Sequence, residues 1–118
     1  MNATELRKAI ENLGWRITTS TMHNTGWYAW LGGSNRADWT DCTSNEKPPS
    51  FCVDPYEFEH YGTLHSSVKF RVCGEVNPGR WVDLRVYSVP MSECIESIPD
   101  ATAILKAAWN AASKAVKP

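Results

Sequence analysis

The chain has 118 residues, 42% of them hydrophobic and 21% charged, with a formal net charge of -1. This length fits one domain, residues 1–118, whose core needs no metal or disulfide to hold it. The near-neutral charge argues against broad nucleic-acid binding, which requires a large excess of Lys and Arg. The N-terminal residues lack the basic and apolar regions of a signal peptide, and no stretch approaches the roughly 18 apolar residues that a membrane span needs, so the sequence predicts neither. We therefore expect a cytoplasmic protein whose four cysteines are thiols.

The N-terminal segment predicts a short amphipathic helix. Asn2 and Glu5 have the spacing of a capping box, in which each side chain accepts a hydrogen bond from the other residue's backbone. Leu6 and Ile10 then recur at helical spacing, and Gly14 is placed to end the helix in a left-handed conformation.

Alternating side chains predict two hairpins after this helix. The first pairs residues 15–19 with 27–31, and the second pairs 64–73 with 81–87 across the turn Asn77-Pro78-Gly79. One side of the second hairpin is apolar, and the other is polar and aromatic, as in a sheet with one open face. The polar side is expected to carry His65, Lys69, Arg71, Trp81, Arg85 and Tyr87.

Residues 32–62 form a long central segment with little periodicity, and only Phe51-Cys52-Val53 has the character of a strand. The segment holds six acidic and two basic side chains, a net charge of -4. A loop of this length is uncommon in a compact domain and is usually functional or disordered. Whether it is ordered in the free protein stays open.

The C-terminal region predicts a second helix that begins at Ser97, with Pro99 in its first turn. Its apolar face consists of Ala101, Leu105, Ala108, Trp109, Ala112 and Val116. The whole order predicts an α+β fold: an antiparallel sheet of about four strands with both terminal helices packed on one face.

Two surfaces are candidates for contact with a partner. On the polar side of the second hairpin, Lys69, Arg71 and Arg85 lie beside Trp81 and Tyr87, a mixture typical of protein anchors and of base stacking. The alternative is a solvated face whose cross-strand pairs only stabilise the sheet.

The second candidate surface is the acidic, aromatic central segment. Aromatic anchors within a negative field suit a basic protein partner. The alternative is a loop folded over its own small core. The candidate residues are Asp38, Trp39, Asp41, Asp54, Tyr56, Glu57 and Glu59.

Catalytic and metal motifs are weak. Cys42, Cys52, His60 and His65 are zinc-ligand types but lack the closely spaced cysteine pair of structural sites, so whether they converge on a metal stays open. No cysteine has the setting of an activated nucleophile, and phosphate-binding and metalloprotease motifs are absent. We expect no enzyme, no cofactor and no metal.

Two segments carry a family resemblance: GRWVDLRVYSVP at residues 79–90 and AILKAAWNA at residues 103–111. They resemble small uncharacterised proteins of bacteriophages and prophages. The resemblance implies an accessory factor, such as an anti-CRISPR protein, that binds a host protein or protein–nucleic-acid complex. The order helix, sheet, helix is also similar to the double-stranded-RNA-binding domain, although the lysine cluster of that domain's final helix is missing.

These observations lead to a non-catalytic protein-binding factor, an inhibitor of a host nucleic-acid-processing or defence machine. The alternative is a nucleic-acid-binding module. The partner's identity and the oligomeric state stay open.

Overall fold

The structure, a computed structural model, describes residues 1–30, 49–77 and 79–116. Within these ranges, two helices flank a run of five strands, and a short 3-10 turn at Met91–Glu93 precedes the second helix. The elements are α1 (Ala3–Asn12), β1 (Arg16–Thr19), β2 (Trp27–Trp30), β3 (Ser50–His60), β4 (Thr63–Asn77), β5 (Arg80–Pro90) and α2 (Cys94–Val116).

The strands form one antiparallel sheet in chain order, β1-β2-β3-β4-β5. The β3–β4 pairing is the longest continuous register, running from Ser50 opposite Cys73 to His60 opposite Thr63. Side chains from both helices and from one side of the sheet form a single hydrophobic core. The predicted α+β class, with both terminal helices on one face, is confirmed.

Strand β3 corrects the prediction of a central loop through residue 62. Phe51 and Val53 are buried on the helix side, but the next positions on that side are Pro55, Glu57 and Glu59, so no apolar alternation marks the rest of the strand. Pro55 cannot donate to a ladder and also argues against a strand. Pro55 is tolerated because the β2–β3 register ends at Val53. Residues 32–48 of the expected loop, and Leu31 of the strand predicted before it, lie outside the described residues.

Helix α1 matches its sequence signals. Asn2 Oδ1 accepts a hydrogen bond from the Glu5 N–H at 2.9 Å, and Glu5 Oε1 accepts one from the Asn2 N–H at 3.4 Å. Gly14 follows the helix with φ of +81°, which only glycine adopts without steric cost.

Helix α2 begins at Cys94 rather than at the predicted N-cap Ser97. Pro99 therefore lies inside the helix, where it lacks the N–H that would bond the Ile95 carbonyl. The turn before Pro99 is held because Met91 and Cys94 are buried in the core. Tertiary burial, which the local sequence does not encode, extends the helix upstream of its proline.

A bulge between β4 and β5 overturns the predicted side of Tyr87. Phe70 pairs with Tyr87 and Arg71 with Arg85, so Val86 is an extra residue on β5. The bulge places Tyr87 on the helix side of the sheet, where its ring lies 5.9 Å from that of Phe70. The sequence prediction assumed unbroken alternation through residue 87.

Candidate contact surface on the outer face of the sheet

The side of the sheet opposite the helices, here called the outer face, carries most of the candidate residues. It is built from alternate residues of all five strands, because successive side chains of a strand point to opposite sides. The cross-strand pairs of β3 and β4 place Asp54 beside Lys69 and Phe58 beside His65 on this face.

The end of the β3–β4 hairpin, residues 56–66, is called the arm. The β2–β3 register ends at Val53, and the β4–β5 register begins at Ser67 opposite Pro90. Within the described residues, the arm's two strands therefore pair only with each other. A two-stranded ribbon cannot bury both of its faces, so large side chains on it stay exposed.

Aromatic rings form a continuous ladder along the outer face of the arm. Tyr56 lies 5.5 Å from Phe58, and Phe58 stacks on His65 at 4.8 Å with planes 13° apart. His60 lies 6.3 Å from His65 and 4.3 Å from Tyr61 at the tip. Phe58 is 41% exposed and Tyr61 is 95% exposed. Clustered, exposed rings of this kind are typical of contact anchors.

The tip of the arm holds a large ring in an unfavourable backbone conformation. Tyr61 and Gly62 have φ of +49° and +77°, and His60 pairs with Thr63 across them. Two positive φ angles define the tight hairpin turn that normally selects Asn-Gly or Gly-Gly. A bulky residue is uncommon at the first position, and its cost of about 1 kcal/mol is the type of strain that concentrates at functional sites.

Arg71 is held within the sheet by its neighbours. Its Nη1 lies 3.8 Å from Asp54 Oδ2 and 3.6 Å from Asp83 Oδ2, and its Nε donates to Cys52 Sγ at 3.3 Å. Burial by itself would lower the pKa of Arg71, but the Cys52 hydrogen bond and the two carboxylates outweigh it and raise the pKa. His23 Nε2 lies 3.9 Å from the other oxygen of Asp54. Asp54 and Arg71 thus balance each other's charge.

Glu57 connects the base of the arm to the rest of the fold. Its Oε1 accepts a hydrogen bond from the Ala3 N–H at 2.8 Å, at the positive end of α1. Its own N–H donates to Asn24 Oδ1 at 2.6 Å. Of the described candidate acids, Glu59 is the one that is exposed. The predicted contact residues Asp38, Trp39 and Asp41 lie outside the described residues.

Lys69 and Arg85 are two cations near the middle of the outer face. Neither forms an ion pair within the part of the chain that the structure describes. Lys69 Nζ lies 5.3 Å from the centre of the Tyr56 ring, within the range of a cation–π contact. Trp81 is 70% exposed near the far end of β5, where it pairs with Glu75. Sequence reasoning named all three, but it missed Phe58, His60 and Tyr61 as one ladder because it did not extend β3 beyond Val53.

Two of the possible metal ligands, His60 and His65, lie near each other with ring centres 6.3 Å apart, but Cys52 lies far from them. Cys52 and His60 belong to one strand, eight positions apart, which is roughly 26 Å at about 3.3 Å per residue. No group of three His, Cys, Asp or Glu side chains that could hold a metal occurs among residues 1–30, 49–77 and 79–116. Cys42 lies outside these ranges.

The buried thiols are poorly suited to nucleophilic chemistry. Burial raises the pKa of Cys52 to about 11, although Arg71 opposes this shift, and burial raises the pKa of Cys94 to about 12. Both thiols are therefore protonated at neutral pH, whereas the thiolate is the reactive form.

No protein-family model, curated protein or solved structure matches this chain. None of the helices in the described part of the chain is both long and apolar enough to cross a membrane. The residues and their geometry are thus the basis for inferring function.

Proposed function

We propose that this protein is a non-catalytic protein-binding factor that contacts its partner through the arm. The observation that carries this proposal is the exposed ring ladder from Tyr56 to Tyr61 on a ribbon that the rest of the sheet does not cover. Exposed aromatic clusters rarely persist on a surface without a contact to make, because they promote aggregation. The strained backbone of Tyr61 supports the same role.

The partner in this proposal is a host protein or protein–nucleic-acid complex in the cytoplasm of a host cell. The support is the resemblance of residues 79–90 and 103–111 to phage and prophage proteins. In that setting the protein inhibits a nucleic-acid-processing or defence machine by occupying its surface, as an anti-CRISPR protein does.

Affinity capture with matched variants tests the proposal. The tagged full chain and two variants, Phe58→Ser/Tyr61→Ser in the arm and Leu13→Ser at the end of α1, are used to capture proteins from host lysate. All three changed side chains are exposed and lie outside the buried core, so the core of the fold is preserved. We expect one or two stoichiometric partners that survive nuclease, persist with Leu13→Ser and are lost with the arm variant.

Equal capture by the arm variant would remove the arm from the proposal. Loss of the partners on nuclease treatment would favour the alternative, a nucleic-acid-binding module. That alternative is supported by the cations Lys69 and Arg85, which share the outer face with exposed rings. It is weakened because Arg71 is paired with carboxylates and Tyr87 lies on the helix side.

A further inference from the structure

Two adjoining cavities on the outer face share the same two cations. The larger, about 450 Å³, is bounded by the turn at residues 20–24, by Asp54 and Tyr56, and by Lys69, Arg85 and the carboxylate-paired Arg71. The smaller, about 280 Å³, is bounded by Lys69, Arg85 and residues 86–88 of β5, which include the bulge. Together they form a groove, here called the cation groove, with Lys69 and Arg85 at its middle.

The sheet register concentrates positive charge in this groove. Arg85 lies directly opposite Arg71, and Lys69, two positions before Arg71 on β4, is the diagonal neighbour of Arg85. Like charges directly opposite one another destabilise a sheet. The carboxylates of Asp54 and Asp83 both lie near Arg71, and in the described residues no carboxylate pairs with Lys69 or Arg85.

The other charged and polar groups that face the groove do not neutralise the positive charge of Lys69 and Arg85. Asp54 is the acidic side chain that lines the larger cavity, and it is already shared between Arg71 and His23. His23 also lines this cavity, and its Nδ1 is buried without a hydrogen-bond partner among the described residues. The two cations without a paired carboxylate favour an anionic occupant.

The groove continues into the arm. A third cavity, about 400 Å³, is bounded by Phe58, His65 and Pro90 and shares Ser88 with the smaller cavity of the cation groove. A segment lying across the sheet would therefore meet the cations at one end and the ring ladder at the other. This combination suits an extended peptide with both acidic and apolar side chains better than a nucleic-acid backbone, which requires many phosphate contacts.

We propose that the cation groove binds the carboxylates of an acidic protein segment, with Lys69 and Arg85 as the residues that pair with them. This inference rests on the proposed protein-binding function and names the chemistry of the partner. It differs from the basic partner that the central segment predicted, because Lys69 and Arg85 form no ion pair in the described residues while Asp54, Asp83 and Glu57 are engaged within the fold.

The test is an NMR titration of the full chain with an acidic probe peptide, acetyl-Glu-Glu-Trp-Glu-Glu-amide. We expect chemical-shift changes at the backbone amides of Lys69, Arg85 and Ser88, with an affinity that falls as salt is added. The variant Lys69→Gln/Arg85→Gln should weaken binding by about tenfold or more, since two charge contacts are lost. The variant Lys8→Gln/Arg80→Gln removes the same charge from exposed positions elsewhere and should leave binding unchanged.

The inference would be overturned by no shifts with the acidic peptide, by equal weakening by the two variants, or by shifts produced instead by acetyl-Lys-Lys-Trp-Lys-Lys-amide. Shifts at these amides with a short oligothymidylate and not with the peptide would also overturn it, in favour of phosphate binding. Its failure is distinguishable from failure of the arm. If the arm variant loses the host partner but the unchanged protein binds no acidic peptide, the groove inference fails and the arm proposal stands. If the protein binds the peptide but the arm variant still captures the partner, the arm proposal fails and the groove inference stands.

Discussion

The pKa values of two cysteines in this protein are set by their buried surroundings. Cys94 is fully buried in the core, and Cys52 is fully buried beneath the Arg71 guanidinium. Burial penalises the thiolate, so both pKa values rise from the ordinary 9.0, to about 12 and about 11 respectively. Both thiols are packed within the fold, and they lose their protons only in alkaline solution.

The raised thiol pKa values predict a loss of stability at alkaline pH. The stabilising contribution is complete below pH 9, where the thiols of the unfolded chain are also protonated, and is lost as pH rises towards 11 and 12. Between pH 9 and about pH 11, the free energy of unfolding of the Cys94→Ala variant should fall by about 2–3 kcal/mol less than that of the unchanged protein. Urea unfolding at several pH values in this range measures both. Identical pH dependence of the two proteins would contradict the assignment.

At the scale of elements, the arm is the part of the fold with the weakest support. Its strands lie beyond the registers with β2 and β5, so its order depends on its own pairing and on contacts such as the stack of Phe58 on His65. Glu57 anchors its base to the start of α1. An element that is anchored at its base and exposed along its rings can adapt its tip to a partner surface.

Replacing the tip residue should separate stability from binding. Tyr61→Asn places a residue that tolerates positive φ at this position, so the free energy of unfolding should rise by about 0.5–1 kcal/mol. Partner capture should fall, because the most exposed ring of the ladder is removed. Chemical denaturation and quantitative capture measure the two effects.

Tyr61→Phe is the matched control, since it keeps the ring and the strained backbone and should leave both quantities unchanged. A Tyr61→Asn variant with greater stability and undiminished capture would show that the tip ring is not a contact residue.

At the scale of the molecule, one close approach joins the sheet to α2. A Cβ added at Gly74 of β4 would lie 3.1 Å from Trp109 Cη2 and 3.3 Å from Pro49 Cα. Trp109 is fully buried and belongs to the same core as Leu6 and Ile10 of α1. The absence of a side chain at Gly74 therefore lets the Trp109 ring of α2 pack closely against the sheet.

Gly74→Ala should lower the free energy of unfolding by about 1–3 kcal/mol, since the added methyl overpacks a site bounded by backbone as well as by a ring. Trp109→Phe removes the atom nearest to the added methyl. The double variant should therefore lose less stability than the sum of the two single changes. Strictly additive losses in denaturant unfolding would show that the two residues are not in contact.

The sequence by itself determined the features that depend on neighbouring residues. The capping box of Asn2 and Glu5, the helix end at Gly14 and the β4–β5 hairpin are all present, since short-range hydrogen bonds and alternation encode them. Together these elements were sufficient for the α+β class with both helices on one face. For the site, residue type and alternation identified Tyr56, Lys69 and Arg85 as candidates, but they did not predict which side chains lie next to them.

The tertiary structure decided the features that depend on contacts between distant residues. Strand β3 forms despite Pro55 because β4 supplies a partner along its whole length, and α2 begins before Pro99 because the core buries Met91 and Cys94. The bulge moves Tyr87 to the helix side, and cross-strand pairing engages Asp54 and Arg71 with each other. Exposure and charge balance are properties of the assembled sheet, so they follow from its register rather than from local residue type.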